Sequence, residues 1–228
     1  MSLLERLFSP RWFMPTATVI VRTFVRLFYG LRIDGRENVP PGGAVVACNH
    51  FSSWDPPVVG VSYPGRLEFM AKKELFEKPL SRAVMRGLRA YPVDRERQDV
   101  GAIKESLRRL QANRSIGIFV QGTRSAGDTG ALDGAAFLAQ RGRVPLVPAA
   151  IWREGRSFHV RFGPPLQAEG SGRDDAKALT EAVMEKIDGL IPGGLGRGQG
   201  DENEQGNLDQ HENEQRNPDQ HENERAPA

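Results

Sequence analysis

Hydrophobic positions along the chain fall into two kinds of segment. Short continuous apolar runs predict buried strands, and the clearest are residues 44–48 and 115–120. Apolar positions three or four residues apart predict amphipathic helices, as in residues 100–111. The other predicted strands are 66–71, 89–94, 144–151 and 158–162, and the other predicted helices are 57–63, 72–87 (interrupted at Pro79), 132–140 and 174–190. Alternating strands and helices predict an α/β fold, a mixed sheet with helices on both faces.

The N-terminal segment is apolar but is interrupted by arginines. Its longest uncharged stretch, residues 12–21, is about half the length that a membrane-spanning helix requires. On a helix, Thr18, Arg22 and Arg26 form a narrow polar stripe. This pattern is typical both of a helix that lies in a membrane interface and of a helix packed on the domain, and the arginine and aromatic content favours the membrane.

The C-terminal segment is a polar repeat. Residues 201–228 contain near-copies of a ten-residue unit, which cannot bury a core and is expected to be disordered. The chain therefore divides into an N-terminal amphipathic membrane-associating segment (1–31), a central domain (32–192) and a disordered tail (193–228).

Charge and cysteine content limit the classes of function. The repeat carries nine acidic and two arginine side chains, so the remaining 29 basic and 20 acidic side chains give the first 200 residues a net charge of +9. A basic body favours phosphorylated ligands or an anionic membrane surface. The single cysteine, Cys48, excludes an intramolecular disulfide and a cysteine metal cluster, which favours a reducing compartment; we interpret it as a small buried hydrophobe.

One histidine, His50, is a candidate catalytic residue. His50 comes just after the apolar run 44–48, where the predicted strand ends, and the following turn can fold Asp55 back onto the imidazole. A carboxylate on one ring nitrogen leaves the other free to accept a proton, so the pair is a candidate general base. A core histidine or a turn cap is an equal alternative on this pair alone. His159 lies in an alternating strand pattern that predicts a solvent-facing side chain.

Further polar residues follow other predicted strands. Gln121, Gly122, Thr123, Arg124 and Ser125 come directly after strand 115–120, where glycine, hydroxyls and an arginine suit an anion. Arg95 also follows a strand. Since carboxyl ends of strands meet at one edge of such a sheet, we expect His50, Arg95 and Arg124 to converge. One base and two arginines indicate group transfer onto a hydroxyl of a phosphorylated substrate.

Four motifs in order resemble the glycerolipid acyltransferase family, typified by 1-acylglycerol-3-phosphate O-acyltransferases. They are residues 49–55, residues 71–76 with 91–95, residues 120–125 and residues 144–148, and the family's opening segment resembles residues 31–40. The resemblance implies that His50 takes a proton from the free glycerol hydroxyl, which attacks the thioester of an acyl donor without an acyl-enzyme intermediate. Asp55 would orient His50.

The resemblance also implies a substrate site. Arg124 and Arg95, with Lys72 as a weaker candidate, would hold the acceptor phosphate, and residues 144–148 would shape a pocket. The expected donor is acyl-CoA or acyl-carrier protein, with no other cofactor and no metal. The expected partners are a phosphorylated lysolipid and an anionic membrane surface, not nucleic acid, with a peripheral location on the cytoplasmic side of the membrane.

Two positions depart from the family pattern. The family usually has glutamate where this chain has Gln121, and a Phe-Lys pair where it has Ala131-Leu132. Glutamine cannot supply a negative charge to fix an arginine. The alternatives are therefore an acyltransferase for a different lysolipid or glycolipid acceptor, and a catalytically weak lipid-binding homologue.

Overall fold

The computed structural model describes residues 8–9, 12–94, 99–121, 130–170 and 172–195, without the side chains of residues 121 and 130–132. The α-helices in this part of the chain are α1 (Phe13–Phe28), α2 (Asp55–Ser62), α3 (Pro79–Gly87), α4 (Val100–Gln111), α5 (Gly130–Gly142) and α6 (Arg173–Leu190). The strands are β1 (Leu31–Asp34), β2 (Val45–His50), β3 (Leu67–Lys72), β4 (Tyr91–Val93), β5 (Ser115–Gln121), β6 (Leu146–Glu154) and β7 (Ser157–Phe162). Short 3-10 turns form at Arg36–Asn38 and Lys73–Phe76.

The strands form one seven-stranded sheet in the order β1-β7-β6-β2-β5-β3-β4. The five neighbouring strands β6, β2, β5, β3 and β4 are all parallel to one another. Strand β7 runs antiparallel to β6, and β1 runs parallel to β7. The carboxyl ends of β2, β3, β4, β5 and β6 therefore lie at one edge of the sheet. This edge is where an open α/β sheet places its ligand site.

Strand β2 is central and apolar on both faces, as parallel strands covered by helices are. Val46 and Cys48 point towards α1 and α2, whereas Val45 and Ala47 point towards α4, α5 and α6. The sheet thus lies between two helical layers. The predicted fold class, a mixed α/β sheet with helices on both faces, is confirmed.

Helix α1 packs on the domain through one face and exposes the other. Val25 is fully buried, while the exposed apolar side chains include Val19, Ile20, Leu27 and Phe28. The helix end is joined to α2 by an aromatic contact, since the rings of Phe24 and Trp54 stack with their centroids 6.0 Å apart. Helix α1 is therefore both packed on the domain and apolar towards its surroundings.

His159 contradicts its prediction as a solvent-facing strand residue. It is buried, and its ring stacks on Trp152 of the neighbouring strand with a centroid distance of 5.1 Å. Its Nε2 lies 3.4 Å from an oxygen of Glu154. The same face of β6 is covered by Ile191, which follows α6, so the alternating pattern marks the second covered face of the sheet rather than a solvent face.

The other predicted elements were found with shifted boundaries. The predicted helix 72–87 begins instead with a strand end and a 3-10 turn, and only Pro79–Gly87 is α-helical. Strand β6 begins at Leu146 and continues to Glu154. The predicted disordered tail (193–228) lies outside the described residues from residue 196 onward.

Candidate active site

His50 is the last residue of β2 and lies at the carboxyl edge of the sheet. It is in register with Gln121, the last residue of the neighbouring strand β5. Its side chain is 31% exposed, whereas the five residues that precede it in β2 are buried. The imidazole is therefore partly exposed at the edge where the ligand is expected, although the strand that carries it is buried.

Asp55 is the first residue of α2 and returns to the imidazole. Its Oδ2 accepts a hydrogen bond from His50 Nδ1 at 2.6 Å. The same oxygen accepts the backbone amides of Phe51 at 2.7 Å and Ser52 at 2.9 Å. The carboxyl group is fully buried, and its position at a helix N-terminus favours the negative charge. The backbone amides of the turn thus hold the Asp55 carboxyl group in place, and the carboxyl group holds the imidazole.

This geometry fixes the tautomer of His50. A carboxylate can only accept hydrogen bonds, so Nδ1 carries the proton and the neutral ring has its lone pair on Nε2. In the part of the chain that the structure describes, no hydrogen bond to Nε2 is found. This nitrogen of the partly exposed side chain is therefore available to accept a proton from a bound hydroxyl.

Two phenylalanines stack behind the imidazole. The ring of Phe119 in β5 lies against His50 with a centroid distance of 4.9 Å, and Phe69 in β3 stacks on Phe119 at 5.4 Å and 16°. Gly117 makes room for Phe69, because a Cβ at that position would collide with its ring. Sequence reasoning missed both phenylalanines, although each lies in a predicted strand; β5 is next to the strand that carries His50, and β3 is next to β5.

Asn49 holds the end of β2 against β6. The register of the two strands ends at the pair Cys48 and Ala149. Beyond this pair, the side-chain Nδ2 of Asn49 donates a hydrogen bond to the backbone carbonyl of Ile151 at 2.7 Å. The side-chain Oδ1 of Asn49 accepts a hydrogen bond from the backbone N–H of Ile151 at 2.8 Å. The buried side chain thus extends the hydrogen bonding between the two strands past their last backbone pair, immediately before His50. Sequence reasoning missed this function because the partner, Ile151, lies 102 positions further along the chain.

Cys48 is buried, as predicted. Burial raises the pKa of the thiol well above its ordinary value, and the nearby Asp55 carboxylate acts in the same direction. The protonated thiol lies within the core layer shared with α1 and α2. It is therefore a packing residue rather than a nucleophile.

The predicted substrate residues are only partly within the described chain. Lys72 is the exposed last residue of β3, and Gln121 ends β5, so both strand ends lie at the edge that carries His50. Arg95, Gly122, Thr123, Arg124 and Ser125 lie outside the described residues. Residues 144–148 lead into β6 at the opposite end of the ladder from His50, with Leu146 and Val147 fully buried.

Comparisons with known proteins define the class. The sequence profile of the Acyltransferase family matches residues 30–152, which include β2, the His50–Asp55 turn and β5. The chain belongs to the acyltransferase family. This membership confirms the predicted resemblance to glycerolipid acyltransferases and the predicted enzyme class, an O-acyltransferase.

Two relatives and one solved structure are similar to the chain. The chain is 32% identical over 182 residues to a 1-acyl-sn-glycerol-3-phosphate acyltransferase of Bacillus subtilis, covering 73% of this chain and 91% of that protein. It is 33% identical to the enzyme of the same name from Streptococcus pneumoniae, covering 63% of this chain and 55% of that protein. The crystal structure of the 1-acyl-sn-glycerophosphate (LPA) acyltransferase PlsC from Thermotoga maritima has the same fold, with a TM-score of 0.60, 22% identity and coverage of 81% and 82% of the two chains.

Proposed function

We propose that the chain transfers an acyl group from an acyl thioester to the free hydroxyl of 1-acyl-sn-glycerol-3-phosphate. The observation that carries the proposal is the 2.6 Å hydrogen bond between His50 Nδ1 and Asp55, which leaves Nε2 open at the carboxyl edge of the sheet. The names of the bacterial relatives support this acceptor. The donor is acyl-CoA or acyl-carrier protein, and no other cofactor takes part.

In the proposed reaction, His50 Nε2 removes the proton of the acceptor hydroxyl as its oxygen attacks the thioester carbonyl. The carbon–sulfur bond then breaks, and the imidazolium returns the proton to the leaving thiolate. Asp55 stabilises the imidazolium, because a carboxylate held by the backbone amides of Phe51 and Ser52 lies beside the positive charge as it forms. No group of the enzyme becomes acylated.

The acceptor phosphate needs cationic partners near Nε2. Lys72 is exposed at the end of β3, and Arg95 and the residues from Gly122 to Ser125 follow the ends of β4 and β5. Lys72 and the last residues of β4 and β5 lie at the sheet edge that carries His50. Lys72, Arg95, Thr123, Arg124 and Ser125 stay predictions as phosphate ligands, and Gln121 stays a predicted contact.

The test is acyl transfer by the purified protein. Acyl-CoA and acyl-carrier protein are supplied as donors, with lysophosphatidic acid, lysophosphatidylcholine and a glycolipid as acceptors. We expect lysophosphatidic acid to give the highest kcat/KM. A preference for an acceptor that lacks an exposed phosphate would refute the proposed substrate, and the absence of transfer to every acceptor would favour a lipid-binding homologue.

A second histidine supplies the matched control. His50→Ala is expected to abolish transfer, whereas His159→Gln is expected to retain it, because His159 is buried against Trp152 on β7, and β6 separates β7 from the strand that carries His50. Circular dichroism spectra of both variants establish that each is folded. Full activity of His50→Ala would remove His50 from the mechanism.

We further propose that the exposed apolar face of α1 lies on an anionic membrane surface. None of the helices in the described residues is long and apolar enough to cross a bilayer. Leu27 is nevertheless 76% exposed and Ile20 61% exposed, and the same helix carries Arg22 and Arg26. Apolar side chains beside arginines suit the boundary between acyl chains and phosphates.

Liposome sedimentation tests this surface. We expect the double substitution Ile20→Glu and Leu27→Glu to release the protein from vesicles that contain phosphatidylglycerol. The matched control is Val100→Glu, which alters an exposed apolar residue on α4, on the opposite face of the sheet. Equal sedimentation of the double variant and the wild type would contradict the proposal.

A further inference from the structure

Three aromatic rings form a diagonal row across adjacent strands. His50, Phe119 and Phe69 lie in β2, β5 and β3, which are neighbours in the sheet. Phe119 is in register with Cys48, two residues before His50, and Phe69 is in register with Gly117, two residues before Phe119. The row therefore descends from the exposed carboxyl edge into the core layer on the α2 side of the sheet.

The hydrogen bond to Asp55 does not by itself fix the imidazole. A single contact at Nδ1 leaves the ring free to tilt about that bond, and tilting moves Nε2 away from the hydroxyl. Phe119 lies against the ring at a centroid distance of 4.9 Å and an interplanar angle of 36°. A contact on the ring itself restricts this tilt, which the contact at Nδ1 cannot do.

Phe119 is itself supported from behind. Phe69 stacks on it at 5.4 Å, and Phe69 in turn fills the space above Gly117 and lies 3.3 Å from the position that a Cβ of Gly60 would take. A side chain at position 117 would push the Phe69 ring into its neighbour. The two glycines thus allow a rigid support that reaches from the core to the imidazole.

The phenylalanine ring also suits the charge that forms during the proposed reaction. A cation within about 6 Å of an aromatic ring centroid is attracted by the ring quadrupole. The imidazolium of His50 meets this distance criterion, so Phe119 favours the protonated ring that follows proton removal. An aliphatic side chain of similar volume would fill the space without this attraction.

We propose that Phe119 is a positioning residue for His50, with Phe69 as its support, so that the ring row sets both the direction of Nε2 and the ease of protonating it. This inference rests on the proposed function, in which His50 is the general base. Neither phenylalanine was assigned a function from the sequence motifs.

The kinetic test compares Phe119→Leu, Phe119→Tyr and the wild type. We expect Phe119→Leu to lower kcat about tenfold while the KM values for donor and acceptor stay within about twofold, because an interaction that matters only to proton transfer is lost. Loss of the ring attraction should also move the acid limb of the pH profile of kcat/KM to lower pH by about half a unit. Phe119→Tyr keeps a ring and should restore both quantities.

The matched control is Phe137→Leu. Phe137 is a 40% exposed phenylalanine on α5, on the opposite side of the sheet, and the same substitution there should leave kcat and the pH profile unchanged. A purely structural role for Phe119 would reduce the amount of active protein without moving the acid limb. If Phe119→Leu does not fold, Phe69→Leu is expected to shift kcat and the acid limb in the same directions by smaller amounts.

A readout without turnover separates this inference from the proposed function. In the NMR spectrum of the wild type, the ring current of Phe119 should displace the carbon-bound ring protons of His50 from their positions in a histidine peptide. Undisplaced resonances, or an unchanged kcat and acid limb in folded Phe119→Leu, would overturn the inference. Full activity of His50→Ala would remove His50 from the proposed mechanism while leaving the NMR result intact.

Discussion

Replacing Asn49 by alanine should destabilise the fold where β2 leaves β6. The substitution removes two hydrogen bonds, of 2.7 Å and 2.8 Å, to the backbone of Ile151. Both residues are buried, so the amide and the carbonyl of Ile151 lose their partners without access to water. An unsatisfied buried group costs about 1–3 kcal/mol, so two groups lower the free energy of unfolding by about 2–6 kcal/mol.

Urea unfolding followed by circular dichroism measures this loss. The control is Gln111→Ala, which removes an exposed amide side chain from the last residue of α4 and should change the free energy of unfolding by at most about 0.5 kcal/mol. A loss below about 0.5 kcal/mol for Asn49→Ala would refute the reasoning, because it would mean that the Ile151 backbone finds other partners.

Asn49→Asp refines the prediction. A carboxylate can accept the Ile151 amide but cannot donate to the Ile151 carbonyl, and it places a charge in a buried position. We expect this variant to be less stable than Asn49→Ala at pH 7. The deficit should become smaller at acidic pH, where the introduced carboxyl group is protonated and can donate; a deficit that does not depend on pH would contradict this account.

Three further outcomes follow from the site and from α4. Asp55→Asn should remain folded, because an amide oxygen can still accept the backbone donors, but should lower kcat by a factor on the order of 10²–10⁴; unchanged steady-state rates would contradict the proposed mechanism. Because burial raises the pKa of Cys48, its thiol should not react with a disulfide reagent at pH 8 until urea unfolds the chain, and rapid reaction of the native protein would show that the site opens. Hydrogen bonding to Arg108 lowers the pKa of Glu105 from 4.5 to about 2, so its stabilising contribution is complete above pH 4.5 and is lost as the pH falls to 2; the difference in unfolding free energy between wild type and Glu105→Gln should decrease over this interval, not remain constant.

The sequence was sufficient to predict the sheet and the pair at its edge. An apolar run of five residues that follows prolines and glycines is short for a helix and indicates a buried strand, and the turn residues after it bring Asp55 back within five positions. The His50–Asp55 hydrogen bond follows from this local pattern. The fold class follows in the same way from the alternation of strands and helices.

The errors and omissions concern contacts between distant segments. The alternation around His159 shows which residues share a face but not that Ile191, far along the chain, covers that face. Likewise, Phe119 and Phe69 are ordinary strand residues until the strand order places Phe119 beside His50 and Phe69 beside Phe119. The end of β6 depends on pairing with β7, which extends the strand to Glu154. Local patterns carry none of this information.

The positions of the tryptophans allow intrinsic fluorescence to report on two different parts of the protein. Trp54 directly precedes Asp55, is 43% exposed and stacks on Phe24 of α1, while Trp152 is buried beside His159. Emission from Trp54 therefore reports the polarity next to the histidine–aspartate turn, and emission from Trp152 reports the integrity of the core. Substituting Trp12 and either of these residues by phenylalanine would separate the two signals, so that events at the site can be followed by fluorescence without attaching a dye.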